Sequence, residues 1–302
     1  MAWVDTGALK KIPGLKITMV LEVLPNDPFV MCPDNHFDGY CVLDPSLRLK
    51  NRRVFPFPRP LEDAPELEPF NEPATPVIGS FGFATKGKGF QHVVEAVNKE
   101  FDKAIIRLNI PFGNFVPDSE AYSQFLGNLC REKAKPGIDV RVTHLYMSKQ
   151  ELINWCAQNT LNCFLYDRNI PGLAATTDQA IVSGRPLSVS ANDTFRHITS
   201  YLTPYPQWSL KDSIAKSQPL VEKMKRDWSP ANFAIKFEEM LHQLYRGGTI
   251  STREGSFEIP VKSNSLFQLV SDRYRKYKRL ARVSRIIRLL SLKRRPSHEE
   301  LI

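Results

Sequence analysis

The sequence lacks long apolar runs, paired cysteines and the motifs of common hydrolases. Its longest apolar stretches, such as CFLYD and VIGSFGF, are far shorter than the roughly 20 residues that a membrane-spanning helix needs. The absence of CxxC pairs and of Cys/His clusters argues against disulfides and a structural metal, so we expect small buried side chains at most cysteines. No HExxH or DxD motif and no Ser/His/Asp order supports hydrolytic or metal-dependent chemistry. The cysteines are Cys32, Cys41, Cys130, Cys156 and Cys163.

The composition of the 302 residues is that of a soluble globular protein, with 42% hydrophobic and 24% charged residues. The first 20 residues contain Asp5 and three lysines instead of the pattern of a signal peptide. We therefore predict a cytoplasmic protein with a buried core.

Positive charge is concentrated at the C-terminal end of the chain. The net charge is +9, and residues 271–302 hold 11 Lys/Arg and 3 Asp/Glu, which leaves 30 basic and 29 acidic residues elsewhere. The rest of the protein is almost neutral, so nucleic acid is not the expected partner.

The basic tail has the pattern of an amphipathic helix, which we place within residues 264–302. Its apolar stripe and arginines suit an anionic membrane surface, which predicts a peripheral position at the inner face of the membrane through residues 271–295. An acidic partner or the protein's own body fits the same pattern. The stripe consists of Tyr277, Leu280, Val283, Ile287 and Leu290.

The central region alternates short apolar runs with helical patterns, which predicts an α/β fold with a doubly wound parallel sheet. In such a sheet ligands bind beyond the carboxyl ends of the strands, so the loops that begin at Gly79, Pro111, His144, Asp167 and Ser190 are the candidates for chemistry. The predicted strands are VIGSFGF, AIIRLNI, IDVRVTH, LNCFLYD and PLSVS.

The flanks of this region divide the chain further. Seven prolines in residues 53–76 indicate an extended connector, whose core we place at 61–76. Before it, ITMVLEV and GYCVLDP are candidate strands of a partial N-terminal subdomain, residues 1–60. The α/β domain is predicted over 77–248, ending with a helix for which Ser229 is the N-cap and Gly247 the stop signal.

The segment GFATKGKG, residues 82–89, resembles a phosphate-binding loop between a strand and a helix. It matches the first seven positions of GxxxxGK[ST], but Gly89 has no hydroxyl for a magnesium ion, which argues against an ATPase. The glycines Gly82 and Gly89 and the cations Lys86 and Lys88 at a helix N-terminus still predict a diphosphate cradle. A surface turn with solvated lysines is the alternative.

Three segments in order resemble the nucleotide-sugar half of GT-B glycosyltransferases, of the family 4 or group 1 type. These are KGFQHVVEA, SKQELINWCAQNTLNCFLYD and PGLAATTDQAIVSGRPLSVS. The resemblance covers residues 77 to about 245 and implies a Rossmann-like domain that corresponds to the C-terminal half of that fold. The residues before 77 would then be a short remnant of the other half.

The resemblance implies roles for several residues. Lys88 matches the lysine that binds the diphosphate of the sugar nucleotide, and Lys86 would replace a missing arginine. The loop with Pro171, Gly172 and Leu173 matches the one that holds sugar and phosphate, where backbone N–H groups face negative charge.

Two positions of the motif depart from the family. Gln179 stands where a carboxylate normally binds the ribose, and Pro171 stands where a glutamate contacts the donor sugar. Asp178 lies one residue early, which on a helix is a rotation of about 100°.

Three further side chains at strand ends each have two interpretations. Asp167 would bind a sugar hydroxyl or cap a helix. Arg196 would contact phosphate or sugar, or pair with Asp193. His144 would hydrogen-bond a base or phosphate, or be a half-buried polar strand end.

The resulting hypothesis is a metal-independent glycosyltransferase-like protein without a cofactor. It would bind a nucleoside-diphosphate sugar and transfer the sugar to a glycan or lipid-linked acceptor in surface polysaccharide synthesis. The alternative is a catalytically degenerate binding or scaffold module that is recruited through its basic tail.

Overall fold

A computed structural model describes residues 11–21, 37–47, 52–113, 118–168 and 172–247. All of them belong to one compact unit, residues 1–250. The predicted basic helix at 264–302 lies outside the described residues.

The described chain contains eight strands and eight α-helices in the order that follows. They are β1 (Ile17–Val20), β2 (Gly39–Val42), β3 (Val54–Pro56), β4 (Val77–Phe81), α1 (Phe90–Glu100), β5 (Ala104–Asn109), α2 (Ser119–Lys133), β6 (Ile138–Thr143), α3 (Lys149–Ala157), β7 (Leu161–Phe164), α4 (Thr176–Val182), β8 (Leu187–Val189), α5 (Arg196–Thr199), α6 (Leu210–Lys216), α7 (Gln218–Asp227) and α8 (Pro230–Gly247). A short 3₁₀ turn, Asp193–Phe195, precedes α5.

The larger sheet has five parallel strands in the order β6-β5-β4-β7-β8. The chain runs outward from β4 to β6 and then returns to the other side of β4 for β7 and β8. This order confirms the predicted doubly wound α/β fold. It places the topological switch point, where ligands bind in such sheets, between the carboxyl ends of β4 and β7.

Helices cover both faces of the larger sheet. Val93 and Val97 of α1 pack with Ile106 on one face, while Ile153 of α3 packs with Phe164 on the other. Every residue of β4, β7 and β8 is buried, as their apolar sequences predict. The edge strand β6 differs, because alternate residues along it are exposed to solvent.

Two helix starts show how the sequence sets the boundaries of the elements. Ser148 and Glu151 form a reciprocal capping box at the start of α3. Ser229 accepts a hydrogen bond from the backbone N–H of Asn232 at 3.2 Å, which confirms it as the N-cap of α8.

A smaller parallel sheet, β1-β2-β3, precedes the larger one. Strands β1 and β2 occur where sequence analysis predicted them, but β3 falls inside the proline-rich segment that we assigned to the connector. Helix α8 covers one face of this sheet through Phe237 and Met240, which pack with Cys41 and Phe57. The domain boundaries at 60, 76 and 248 remain a prediction.

The described cysteines are all buried, which confirms their expected packing role. Cys41, Cys130, Cys156 and Cys163 are free thiols in the core. Burial raises the pKa of Cys41 to about 11 and that of Cys130 to about 12, because an apolar environment disfavours the thiolate.

Candidate functional site

The loop at residues 82–89 lies directly against the carboxyl end of β7. A Cβ atom on Gly89 would stand 1.8 Å from the carbonyl oxygen of Leu165, and one on Gly87 would stand 2.8 Å from the Cα of Arg168. Both glycines have positive φ, 65° at Gly89 and 79° at Gly87. The backbone N–H of Asp167 also donates to the carbonyl of Gly87 at 3.2 Å. Loop 82–89 and the carboxyl end of β7 therefore form one continuous surface at the switch point between β4 and β7.

Lys88 lies where loop 82–89 meets the carboxyl end of β7. Its Nζ donates to the hydroxyl of Tyr166 at 3.1 Å and stands 4.5 Å from the centre of the same ring. Its side chain is half-buried, and no carboxylate of the described residues lies within ion-pair distance of it. This is a fixed positive charge at the crevice.

Lys86 and Gly82, the other predicted residues of the loop, differ in their exposure. Lys86 is exposed. Gly82 is buried at the end of β4, and its N–H donates to the carbonyl of Asn109 at 3.1 Å. Of the two lysines, Lys88 is therefore the one whose position is set by its neighbours.

Asp167 extends from the end of β7 into an exposed polar chain. Its carboxylate contacts His92 Nε2 at 3.0 Å, and His92 Nδ1 contacts Glu95 at 3.0 Å. Glu95 in turn pairs with Lys133. Although burial opposes it, hydrogen bonds and charges from Glu95 and Asp167 raise the pKa of His92. The contact with His92 orients Asp167 on the rim of the crevice.

The loop before α4 is fixed by contacts from neighbouring segments. The carbonyl of Gly172 accepts from Thr194 Oγ1 at 2.5 Å and from Arg168 Nη2 at 3.3 Å. Leu173 beside it is half-buried. Pro171 lies outside the described residues.

Asp178 on α4 is held by a residue of the connector. Arg59 lies 3.2 Å from each of its carboxylate oxygens and also donates to the carbonyl of Ala174 at 2.8 Å. Burial raises the pKa of Asp178 to about 6, although Arg59 acts in the opposite direction. This carboxylate is therefore paired with Arg59, and its pKa lies above the usual value of an aspartate.

A cavity of about 80 Å³ lies between the connector and helices α3 and α4. Asp178 and Gln179 line it from α4, Lys149 lines it from α3, and residues 60–62 close its other side. Lys149 and Glu62 form an ion pair beside it. Gln179, which the sequence resemblance places at the ribose position, thus lines a small, partly open pocket.

Arg196 makes a buried ion pair with the smaller sheet. Its Nη2 and Nε atoms lie 2.7 and 2.8 Å from one carboxylate oxygen of Asp44, which follows β2. The backbone carbonyl of Asp193 accepts from Arg196 Nη1 at 2.9 Å. Neither of our two interpretations of Arg196 included Asp44.

His144 has the position of a polar strand end. Its Nδ1 contacts the carbonyl of Ile110 at 2.9 Å and Ser123 Oγ at 2.8 Å, and its ring stacks on Phe112. These contacts tie the end of β6 to the loop after β5.

Sequence reasoning missed two residues that shape the site. Tyr166 orients Lys88, and its place directly before Asp167 at a strand end was a signal that we did not use. Arg59 lies in a segment without periodicity, so no local pattern connected it to Asp178.

Within the described ranges, no group of three or more His, Cys, Asp or Glu side chains is arranged to hold a metal ion. No helix within the same ranges has the length and apolar character to cross a bilayer.

Structural comparison finds the same architecture in known glycosyltransferases. A trehalose-6-phosphate synthase matches 78% of this chain and 68% of its own at 10% identity, with a TM-score of 0.53. A glycosyltransferase from Rickettsia africae matches 77% of this chain and 71% of its own at 10% identity, with a TM-score of 0.52. A sucrose-phosphate synthase from Thermosynechococcus elongatus matches 82% and 72% at 11% identity, with a TM-score of 0.54. No protein-family model and no curated protein sequence matches the chain.

The chain therefore has a divergent GT-B glycosyltransferase fold, which confirms the resemblance at the level of the fold. The structural matches cover 78% and 82% of this chain, which is more than residues 77 to about 245, the span on which the sequence resemblance was based. At identities of 10–11% these likenesses establish architecture alone.

Proposed function

We propose that the chain binds a nucleoside-diphosphate sugar at the crevice between β4 and β7 and transfers the sugar to a glycan or lipid-linked acceptor. Surface polysaccharide synthesis is the process that such a transfer would serve. The observation that carries the proposal is the contact between the 82–89 bend and the end of β7, with the ammonium of Lys88 at their junction.

The chemistry of this junction suits an anion with two phosphates. Backbone N–H groups in glycine-containing bends approach phosphate oxygens closely, and a nearby cation adds a charge-assisted hydrogen bond. Lys88 has this position, and the exposed Lys86 is close enough in sequence to add a second charge. During transfer, negative charge builds up on the leaving diphosphate, and these two ammonium groups would stabilise it.

One observation favours the alternative, a binding module without transfer activity. Arg59 pairs with Asp178, the only carboxylate adjacent to the ribose position of the motif on α4. Gln179 at the ribose position and Pro171 at the sugar position lack the carboxylates of the family. Such a protein would keep the diphosphate-binding site and use its basic tail to recruit a partner.

Calorimetry with UDP-, GDP- and ADP-sugars tests the proposal. We expect at least one of them to bind, and Lys88→Ala to weaken that binding about 10- to 100-fold, since hydrogen bonds to charged groups contribute about 1.5–3 kcal/mol. Lys236→Ala, which removes an exposed lysine from α8, is the matched control and should bind like the wild type.

The same titrations separate the candidate functions. Binding without hydrolysis or transfer of the sugar to any acceptor would favour the binding module. The diphosphate-binding site itself would be contradicted if none of the three donors gave a heat of binding. Equal affinity of the wild type and Lys88→Ala would contradict it as well.

We further propose that the tail, residues 271–295, places the protein on the anionic inner surface of a membrane. Each basic residue near such a surface contributes about 1 kcal/mol, so replacing Arg282, Arg285 and Arg288 with Gln should weaken binding to phosphatidylserine vesicles by about 100-fold. Vesicle co-sedimentation at physiological salt measures this.

The control for the tail variant removes the same charge from the body, by replacing Lys99, Lys103 and Lys236, all exposed, with Gln. An equal loss in both triple variants would show that net charge and not the tail is responsible. Equal binding of the wild type to neutral phosphatidylcholine vesicles would also contradict the proposal.

A further inference from the structure

Tyr166 lies buried two residues after the end of β7. Its side chain is 2% exposed. The ring centre lies 4.9 Å from that of Phe195 and 6.3 Å from that of Phe164, which hold the ring from two sides. A tyrosine packed in this way presents its hydroxyl at a fixed point.

That hydroxyl connects loop 82–89 with the start of α4. It accepts a hydrogen bond from Lys88 Nζ at 3.1 Å and lies 2.9 Å from Oγ1 of Thr176, the first residue of α4. An ammonium group can only donate, whereas a phenol both accepts and donates. The phenol proton therefore remains available for Thr176, and the three groups form one chain from loop 82–89 to α4.

Gly82 lies beside this chain of three groups. A Cβ atom on Gly82 would lie 3.5 Å from Lys88 Nζ and 3.6 Å from the hydroxyl of Tyr166. Lys88 is also held by the face of the ring, 4.5 Å from its centre, where the π-electrons attract a cation. The hydroxyl and the ring of Tyr166 together thus define where the ammonium group lies.

We infer that Tyr166 is a positioning residue, which fixes the ammonium of Lys88 at the crevice and links it to α4. A free lysine side chain loses rotamer entropy when a ligand immobilises it. Tyr166 removes much of that loss in advance, so the cation is ready for a diphosphate before the ligand arrives. This inference rests on the proposed function for its ligand, but not for the placement of Lys88.

A double-mutant cycle with inorganic pyrophosphate as the probe tests the effect on binding. Tyr166→Phe keeps the ring and removes the hydroxyl, and we expect it to weaken binding about 5- to 10-fold in the wild-type background. In the Lys88→Ala background it should change nothing, because Tyr166 acts through Lys88. Equal losses in both backgrounds, or none in the wild type, would overturn the inference.

Tyr201→Phe is the matched control for this cycle. It removes a tyrosine hydroxyl that donates to Asp227 at 2.9 Å, outside the crevice loops. It should leave pyrophosphate affinity unchanged, whereas a loss equal to that of Tyr166→Phe would reveal a general effect on stability and overturn the inference.

A second measurement needs no ligand and so separates the inference from the proposed function. After reductive ¹³C-methylation of the lysines, the resonance that disappears in Lys88→Ala identifies Lys88. We expect it to be shifted upfield by the Tyr166 ring, and in Tyr166→Phe to move at least halfway toward the exposed Lys236. A wild-type Lys88 resonance at the exposed position would overturn the inference. Failure of pyrophosphate and all sugar nucleotides to bind would overturn only the proposed function.

Discussion

Gly89→Ala should lower the stability of the protein by about 2–5 kcal/mol and abolish sugar-nucleotide binding. Residue 89 has φ 65°, where an L side chain costs about 1–2 kcal/mol. The new Cβ would also stand 1.8 Å from the carbonyl oxygen of Leu165, and overpacking of this kind costs about 1–3 kcal/mol. Either the 82–89 loop or the end of β7 has to move. Thermal unfolding followed by circular dichroism should show a midpoint lowered by about 4–20 °C.

Gly14→Ala is the control that separates the two contributions. Gly14 also has positive φ, 92°, but a Cβ there would meet no heavy atom within 4 Å. The substitution therefore carries the conformational cost without the steric one, and its effect on the midpoint should be clearly smaller. Equal effects of the two substitutions would mean that the contact between Gly89 and Leu165 is not a tight one.

The strands and the loop that meet at Gly89 could be predicted from local sequence patterns. The apolar runs at β4 and β7 were long enough to identify both strands, and a parallel sheet brings their carboxyl ends to one edge. The glycines and lysines of residues 82–89 then indicated an anion site from local pattern alone. The roles of the individual residues remain predictions.

Contacts between distant parts of the chain were not predictable in this way. Arg59 and Asp178 are 119 residues apart, and Asp44 and Arg196 are 152 apart. Neither Arg59 nor Asp44 lies in a segment whose periodicity indicates a partner. Strand β3 was missed because prolines at 56, 58 and 60 dominate the local pattern, although Pro56 itself ends a paired edge strand.

Arg196→Met should destabilise the protein by about 3–5 kcal/mol, since it leaves a buried carboxylate without its cation. The side chain of Asp44 is 2% exposed and that of Arg196 is 14% exposed. Arg196 contacts one oxygen of the Asp44 carboxylate, and Ser46 donates to the other oxygen from its N–H and its hydroxyl at 3.0 and 2.6 Å. Urea unfolding at pH 7 gives the free energy directly.

A second substitution tests whether the loss of stability is caused by the unpaired charge of Asp44. Adding Asp44→Asn to Arg196→Met removes the buried charge, so the double variant should be more stable than the sum of the single effects predicts. Arg141→Met is the matched control, because Arg141 pairs with Asp139 at 2.7 Å where both side chains are more than half exposed. Exposed pairs contribute about 0–1 kcal/mol. If Arg196→Met and Arg141→Met had the same effect, the pair with Asp44 would not be what holds α5 to the smaller sheet.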